Sequence, residues 1–285
     1  MKAKILALLC ISPFFIVFFL FMIAPLIYII INAFYVEELQ SYSLANFISI
    51  FESKFYMQSL INSIQLSFFS SIIALFVGLL TAYSVQALSP SKLSAFLLSL
   101  NTMISNFSGV PLAFAFIIVL GTNGVFSVFL KSIGIEPFVT IYSNFGINIV
   151  YIYFQLPLAI LLLYPALKVL ENSQANACKM LGGSFLLYFV KIALPLLAPA
   201  LLGVFVILFA NALGAYATIY ALSSGNYNVA PVRIGALIAG DITLNPYLAS
   251  ALSLILVVLM LFVVAISNLL SKRYNFKDFN ERKVK

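Results

Sequence analysis

The sequence predicts an all-α protein, a polytopic membrane helical bundle with six transmembrane helices. Three observations lead there. First, the 285 residues are 64% hydrophobic and only 8% charged, whereas soluble globular chains are about 25% charged. Too little charge is present to coat a water-facing surface, and mean hydropathy is +1.14. Second, the charges leave six long uncharged runs: Lys4 to Glu37, Lys54 to Lys92, Lys92 to Lys131, Glu136 to Lys168, Lys191 to Arg233 and Asp241 to Lys272. A spanning helix takes about 20 apolar residues, so each run holds one span and none comfortably holds two. Third, basic residues are unevenly shared between alternate connections.

The first span is expected at about 5–34. A secretory signal has an apolar core of only about 7–15 residues, and Cys10 follows Leu9 where a lipoprotein cleavage site wants a small residue. This span is therefore read as uncleaved. The second, at about 58–88, leads through the short "ALSPSKLS" into the third, at about 94–120. Gly109 and Pro111 fall in that third span, and Pro157 and Pro165 in the fourth, at about 146–167. Such breakers are tolerated where neighbouring helices or water satisfy the freed backbone groups, which suggests kinked helices around a pathway. The fifth and sixth spans are expected at about 197–221 and 248–271. Residues 1–285 then form a single membrane domain, with one long inner connection at about 168–196 and a polar tail.

With the N-terminus inside, the inner segments hold Lys2, Lys4, Lys92, Lys168, Lys179, Lys191, Lys272, Arg273, Lys277, Arg282, Lys283 and Lys285. The outer ones hold only Lys54, Lys131 and Arg233. This is the positive-inside pattern, and it places both termini of a multi-pass membrane protein in the cytoplasm. The charges flank spans and form no stripe, so nucleic acid is not the partner; the lipid bilayer is.

Several chemistries are excluded. No Asp or Glu lies inside a predicted span, against the habit of ion-coupled carriers, and no general acid, base or nucleophile is evident. Histidine is absent, and Cys10 and Cys178 form neither a disulfide framework nor a metal site. "GALIAGD" (235–241) mimics a phosphate loop, but Asp241 stands where lysine is needed. "NFS" at Asn106 matches a glycosylation sequon but falls at or within a span.

The long inner connection contains "QANACKMLGGSFLLYFVKIALPLLAP", residues 174–199. It resembles the cytoplasmic loop of ATP-binding cassette (ABC) importer permeases, E-A-A-x3-G-x9-I-x-L-P. Ala177, Gly182, Ile192, Leu194 and Pro195 match in register, while Asn176 replaces the Glu and Cys178 the second Ala. The resemblance implies a type I importer permease fold and a short helix lying across the membrane face that inserts into a groove of a soluble ATPase. Small side chains at Ala177 and Cys178 would allow close approach, and Gly182 and Gly183 would permit the turn that follows. Pro195 would open span five. Asn176 hydrogen-bonds but brings no charge.

"SGVPLAFAF", "VYIYFQLPL", "FANALGAYATIYAL" and "PVRIGALIAGDITLNPYLASALSLILVVLM" extend the resemblance to the spermidine/putrescine branch. It implies a non-catalytic subunit working with ABC ATPases that bind ATP and Mg, a second permease expected to be a different chain, and an extracytoplasmic solute-binding protein. No cofactor is expected in this chain. Related permeases carry iron, phosphonate, thiamine or sulfate; a secondary carrier or channel is the reading from another class. For the substrate path, span five offers Asn211, Tyr216, Thr218 and Tyr220. Asn211 and Thr218 lie near one face at helical spacing, and tyrosine faces attract organic cations by about 0.5–2 kcal/mol each. An interfacial tyrosine belt explains the same residues. Asp241 could draw a cation to the outer mouth.

Overall fold

The structure is a computed structural model that describes residues 11–38, 40–135, 140–170, 172–240 and 244–273. Lys2, Lys4, Cys10, Asp241, Lys277, Arg282, Lys283 and Lys285 lie outside the described residues. Among the described residues, six stretches are long and apolar enough to cross a membrane: Ile11–Phe34, Lys54–Ala87, Val110–Ser132, Asn144–Leu167, Phe185–Leu213 and Pro246–Lys272.

The chain divides into two compact units. The first comprises Met1–Ile61 and Asn228–Leu259. Helix α1 (Ile11–Phe34) leads into a hairpin, β1 (Tyr35–Val36) and β2 (Ser41–Tyr42), then α2 (Ala45–Glu52) and the start of α3 (Lys54–Ala87). Helix α11 (Ala230–Ala239) and the first half of α12 (Pro246–Arg273) complete this unit. Ala33, Ile50, Leu60, Ala230, Ala251 and Leu252 form its core. Asn46 fastens the end of α1: its Nδ2 donates to Ala33 O at 3.1 Å and to Tyr35 O at 2.8 Å. The Arg233 guanidinium lies over the Phe55 ring at 5.0 Å. Burial lowers its pKa, opposed by Tyr56, but a guanidinium stays charged at neutral pH.

The second unit comprises Asn62–Tyr227 and Met260–Lys285. It holds the rest of α3, then α4 (Lys92–Ser105), α5 (Val110–Leu120), α6 (Val125–Ser132), α7 (Asn144–Leu167) and α8 (Asn172–Met180). Helix α9 (Phe185–Leu213) and α10 (Tyr216–Ser223) follow. Small residues let α3 and α7 touch: Ala74, Ala82 and Ala159 are fully buried. A Cβ on Gly78 would sit 2.7 Å from the Ala159 Cβ. Ser70, Ser71 and Gln155 are buried between the same helices. Gln155 Nε2 donates to Ser70 Oγ at 2.8 Å, and Ser71 Oγ donates to Gln155 Oε1 at 3.1 Å. In hydrocarbon such polar groups must find partners within the protein.

Three expectations need correction. The stretch at about 94–120 is not one helix. It breaks at Asn106–Gly109, where Gly109 takes φ +70, and continues as α5. Both pieces touch α7: Asn101 Nδ2 donates to Pro157 O at 3.0 Å, and the Phe116 and Tyr153 rings meet at 5.1 Å. Next, Pro195 does not start a helix. It lies inside α9, just after a π-helical turn at Phe189–Ala193. A proline removes one backbone donor and crowds the carbonyl four residues back. Widening the preceding turn, so that Leu194 N–H bonds Phe189 O, accommodates the crowding. Helix α1 does the same before Pro25, with a π-turn at Phe19–Ile23. Finally, the fifth helix stops at Leu213 and restarts at Tyr216, rather than running unbroken to about 221.

Candidate functional site

The motif stretch folds as a helix, a turn and a longer helix. Helix α8 packs Ala175 and Cys178 onto Tyr188, Phe189 and Ala193 of α9. Cys178 was expected to face a partner. It is instead buried against its own chain, because it follows Ala175 by three residues and shares its face. Asn176 and Ala177 are the exposed pair.

The two glycines have different duties. Gly182 takes φ +78, and a Cβ there would meet nothing within 4 Å. Its N–H bonds Lys179 O at 2.9 Å, and Gly183 N–H bonds Cys178 O at 2.9 Å. That pair is a Schellman motif, which needs the left-handed conformation at the first glycine. Gly183 is required for room: a Cβ there would lie 2.5 Å from Cys178 Sγ. Ser184 then caps α9 by accepting from Leu187 N–H at 3.2 Å.

The turn holds Met180 and Leu181 out, each 89% exposed. Beside it lies a largely apolar groove of about 580 Å³, whose lining includes Gln174, Ala177, the edge of Cys178, Leu181, Lys191 and Ile192. Gln174 Oε1 is buried there without a hydrogen-bond partner. Of the other motif residues, Leu194 is exposed and Pro195 half-buried.

Asn211, Tyr216, Thr218 and Tyr220, the described residues expected to line a path, flank the break after α9. Gly214 N–H bonds Ala210 O at 3.0 Å, and Tyr151 Oη donates to Ala215 O at 3.0 Å, satisfying a carbonyl freed by the break. Asn211, Tyr216 and Tyr220 are exposed, but Thr218 is buried. The face expected to join Asn211 and Thr218 does not exist, since the helix is interrupted between them. Tyr216 and Tyr220 stack instead, with ring centroids 5.2 Å apart at 29°. The break in α4–α5 adjoins this one: a Cβ on Gly109 would be 3.8 Å from Ala217 Cβ. Paired interruptions at membrane depth are where carriers place solute, because unwound backbone persists only when it lines a cavity or is covered by protein. Sequence reasoning missed the Ser70–Ser71–Gln155 cluster. Its signal was present in serines four apart at Ser59, Ser63, Ser67 and Ser71.

Residues 74–276 match the family described as "Binding-protein-dependent transport system inner membrane component". The chain belongs to that family. The permease is similar to the spermidine/putrescine transport system permease protein PotC of Haemophilus influenzae, at 24% identity over 93% of this chain and 97% of that protein. PotB of the same organism is 25% identical, over 82% of each. A shorter likeness, 32% over 37% of this chain and 40% of the relative, is to the probable sulfate transport system permease protein cysT of Prototheca wickerhamii. Among solved structures, a bacterial ABC transporter involved in alginate import superposes with a TM-score of 0.76. It is 18% identical and the match covers 96% of this chain and 97% of that one. The MetNI methionine transporter gives 0.58 at 15% identity, over 78% of this chain and 96% of that one. The permease thus has the all-α type I importer fold and is the membrane subunit of an ABC importer, a multi-pass inner-membrane protein.

Proposed function

We propose that this permease carries a polyamine-type organic cation inward, paired with a second permease, driven by ABC ATPases and fed by an extracytoplasmic binding protein. One observation carries the substrate reading: the likeness to a spermidine/putrescine permease runs nearly end to end in both chains. The stacked Tyr216–Tyr220 pair supports it, since aromatic faces attract ammonium groups. The second permease would supply the neutralising carboxylate, because the predicted spans of this one hold no acid.

The coupling turn supports a mechanism. The ATPase, which binds ATP and Mg, grips the tip around Asn176, Ala177, Met180 and Leu181. Residues Phe185–Leu213 form one 29-residue helix from that turn to the break, a rise of about 43 Å. Closure of the ATPases would move α8 and reach the Gly214 break through α9, with the π-turn before Pro195 as a bending point.

The basic asymmetry supports cytoplasmic termini. Reporters fused at about residues 45, 135 and 235 are expected to read outside; an inside signal from any one overturns this orientation. For the substrate, cells lacking other polyamine importers should take up labelled putrescine when the complete transporter is expressed. Tyr216→Ala should lower uptake severalfold, while Tyr216→Phe retains it, because the ring face does the binding. Sulfate uptake without putrescine uptake would refute the cation reading and favour the one suggested by the shorter relative.

A further inference from the structure

Within the first unit, the hairpin β1–β2, α2 and the start of α12 enclose a cavity of about 310 Å³. Its lining includes Glu37, Glu38, Asn46, Ser49, Asn245 and Tyr247. That volume is at the small end of ligand clefts, about 300–1,000 Å³, and suits a short linear molecule. One wall is aromatic: the Tyr247 ring lines the cavity and is backed by Tyr35 at 5.1 Å, which packs in turn on Tyr42 at 5.5 Å. The rim is acidic. Glu37 and Glu38 are exposed on the hairpin loop, and among the described residues no Lys or Arg lines the cavity.

The loop is held in place. Gln40 Nε2 donates to Glu37 O at 2.9 Å, and Tyr35 Oη donates to Gln40 Oε1 at 3.1 Å. A third acceptor is built into the floor. Asn46 is only 8% exposed, and its Nδ2 is committed to Ala33 O and Tyr35 O. The amide oxygen remains as its acceptor for a ligand in the cavity it lines.

We infer that this pocket is a second, outer binding site of the permease for an organic diamine. One ammonium group would take the Glu37 and Glu38 carboxylates and the Asn46 amide oxygen, and the alkyl chain would lie against Tyr247. The Tyr247 ring gives an alkyl chain an apolar partner that a hard, oxygen-seeking divalent metal would not use. The inference rests on the organic-cation reading and on the outward placement of the first connection. It adds a place where solute is held before it reaches the helix breaks.

The test uses the complete transporter in lipid nanodiscs without binding protein, and measures labelled putrescine by equilibrium dialysis. The E37Q/E38Q double variant changes only exposed side chains, and its complex should assemble as wild type. It is expected to bind putrescine about tenfold more weakly, the sum of two exposed charge pairs. In cells expressing the complete system with its binding protein, the KM for uptake should rise while the maximal rate is retained. Tyr247→Ala should weaken binding and Tyr247→Phe should not. If wild type transports putrescine while E37Q/E38Q leaves dialysis and KM unchanged, the outer site is overturned and the proposed function stands. Displacement of putrescine by an equal concentration of Mg²⁺ overturns it in favour of an inorganic cation site. If dialysis is unchanged and the double variant loses only its affinity for purified binding protein, titrated onto the same nanodiscs as a second measurement, the outer site is overturned in favour of a docking surface for that protein. A wild type that neither transports nor binds putrescine overturns both readings.

Discussion

Gly182→Leu is expected to cut substrate uptake by more than about tenfold and to sever ATP hydrolysis from it. The reason is backbone conformation. Gly182 sits at φ +78, where a side chain costs about 1–2 kcal/mol, and each 1.4 kcal/mol is about tenfold in an equilibrium. The strain acts where the turn must set Met180 and Leu181 outward and close two backbone bonds, to Lys179 O and Cys178 O. An internal clash is not the cause, because a Cβ at Gly182 meets nothing within 4 Å. Gly182→Asn separates conformation from bulk, since asparagine tolerates the left-handed region. It should keep much of the coupling that leucine loses. The measurement is uptake alongside substrate-stimulated hydrolysis in reconstituted vesicles. Wild-type values for Gly182→Leu would remove the turn from the mechanism. Equal damage from asparagine and leucine would shift the explanation to crowding at the ATPase.

That turn was legible in the sequence because its register is rigid: a glycine after a short polar helix, then a fixed distance to a proline. The number of spans was legible too, since charged residues cannot sit cheaply in lipid and so punctuate the chain at Glu37, Lys54, Lys92, Lys131, Lys168, Arg233 and Lys272. What failed was everything set by neighbours. The break at Gly214–Ala215 carries no proline. It is supported by Tyr151, 64 positions away in sequence, and no local pattern announces such a partner. Grouping Asn211 with Thr218 assumed a continuous helix, and that assumption fell with the break. Pro195 was assigned to a helix start on propensity, but the π-turn at Phe189–Ala193 lets the helix accept it internally. Cys178 was counted among the outward small residues although its spacing from Ala175 put both on one face. That face could be called inward only once Tyr188 was seen to cover it.

The close approach of α3 and α7 at Gly78 gives a second large effect. Gly78→Ala should destabilise the permease by about 1–3 kcal/mol, the usual cost of overpacking, and Gly78→Leu should prevent stable assembly. The new Cβ would fall 2.7 Å from Ala159 Cβ, with backbone of Ala159 and Ile160 just behind at 3.6 Å. Neither helix can yield by a rotamer change, so α3 and α7 must separate. Lipid tails are as apolar as leucine, so close packing and interhelical hydrogen bonds are what hold such helices together. Separation therefore also lengthens the bonds joining Ser70 and Ser71 to Gln155, two turns away on α3. The exchange Gly78→Ala with Ala159→Gly moves the methyl group to the other helix and should restore stability. The propensity terms cancel, since alanine gained on α3 offsets glycine placed in α7, each worth about 1 kcal/mol. The double-mutant cycle should thus report coupling within the 0.5–3 kcal/mol typical of touching residues. Thermal unfolding of the purified complex in detergent measures it. If Gly78→Ala alone melts with wild type, or the exchange is no better than that single change, α3 and α7 do not meet through this glycine.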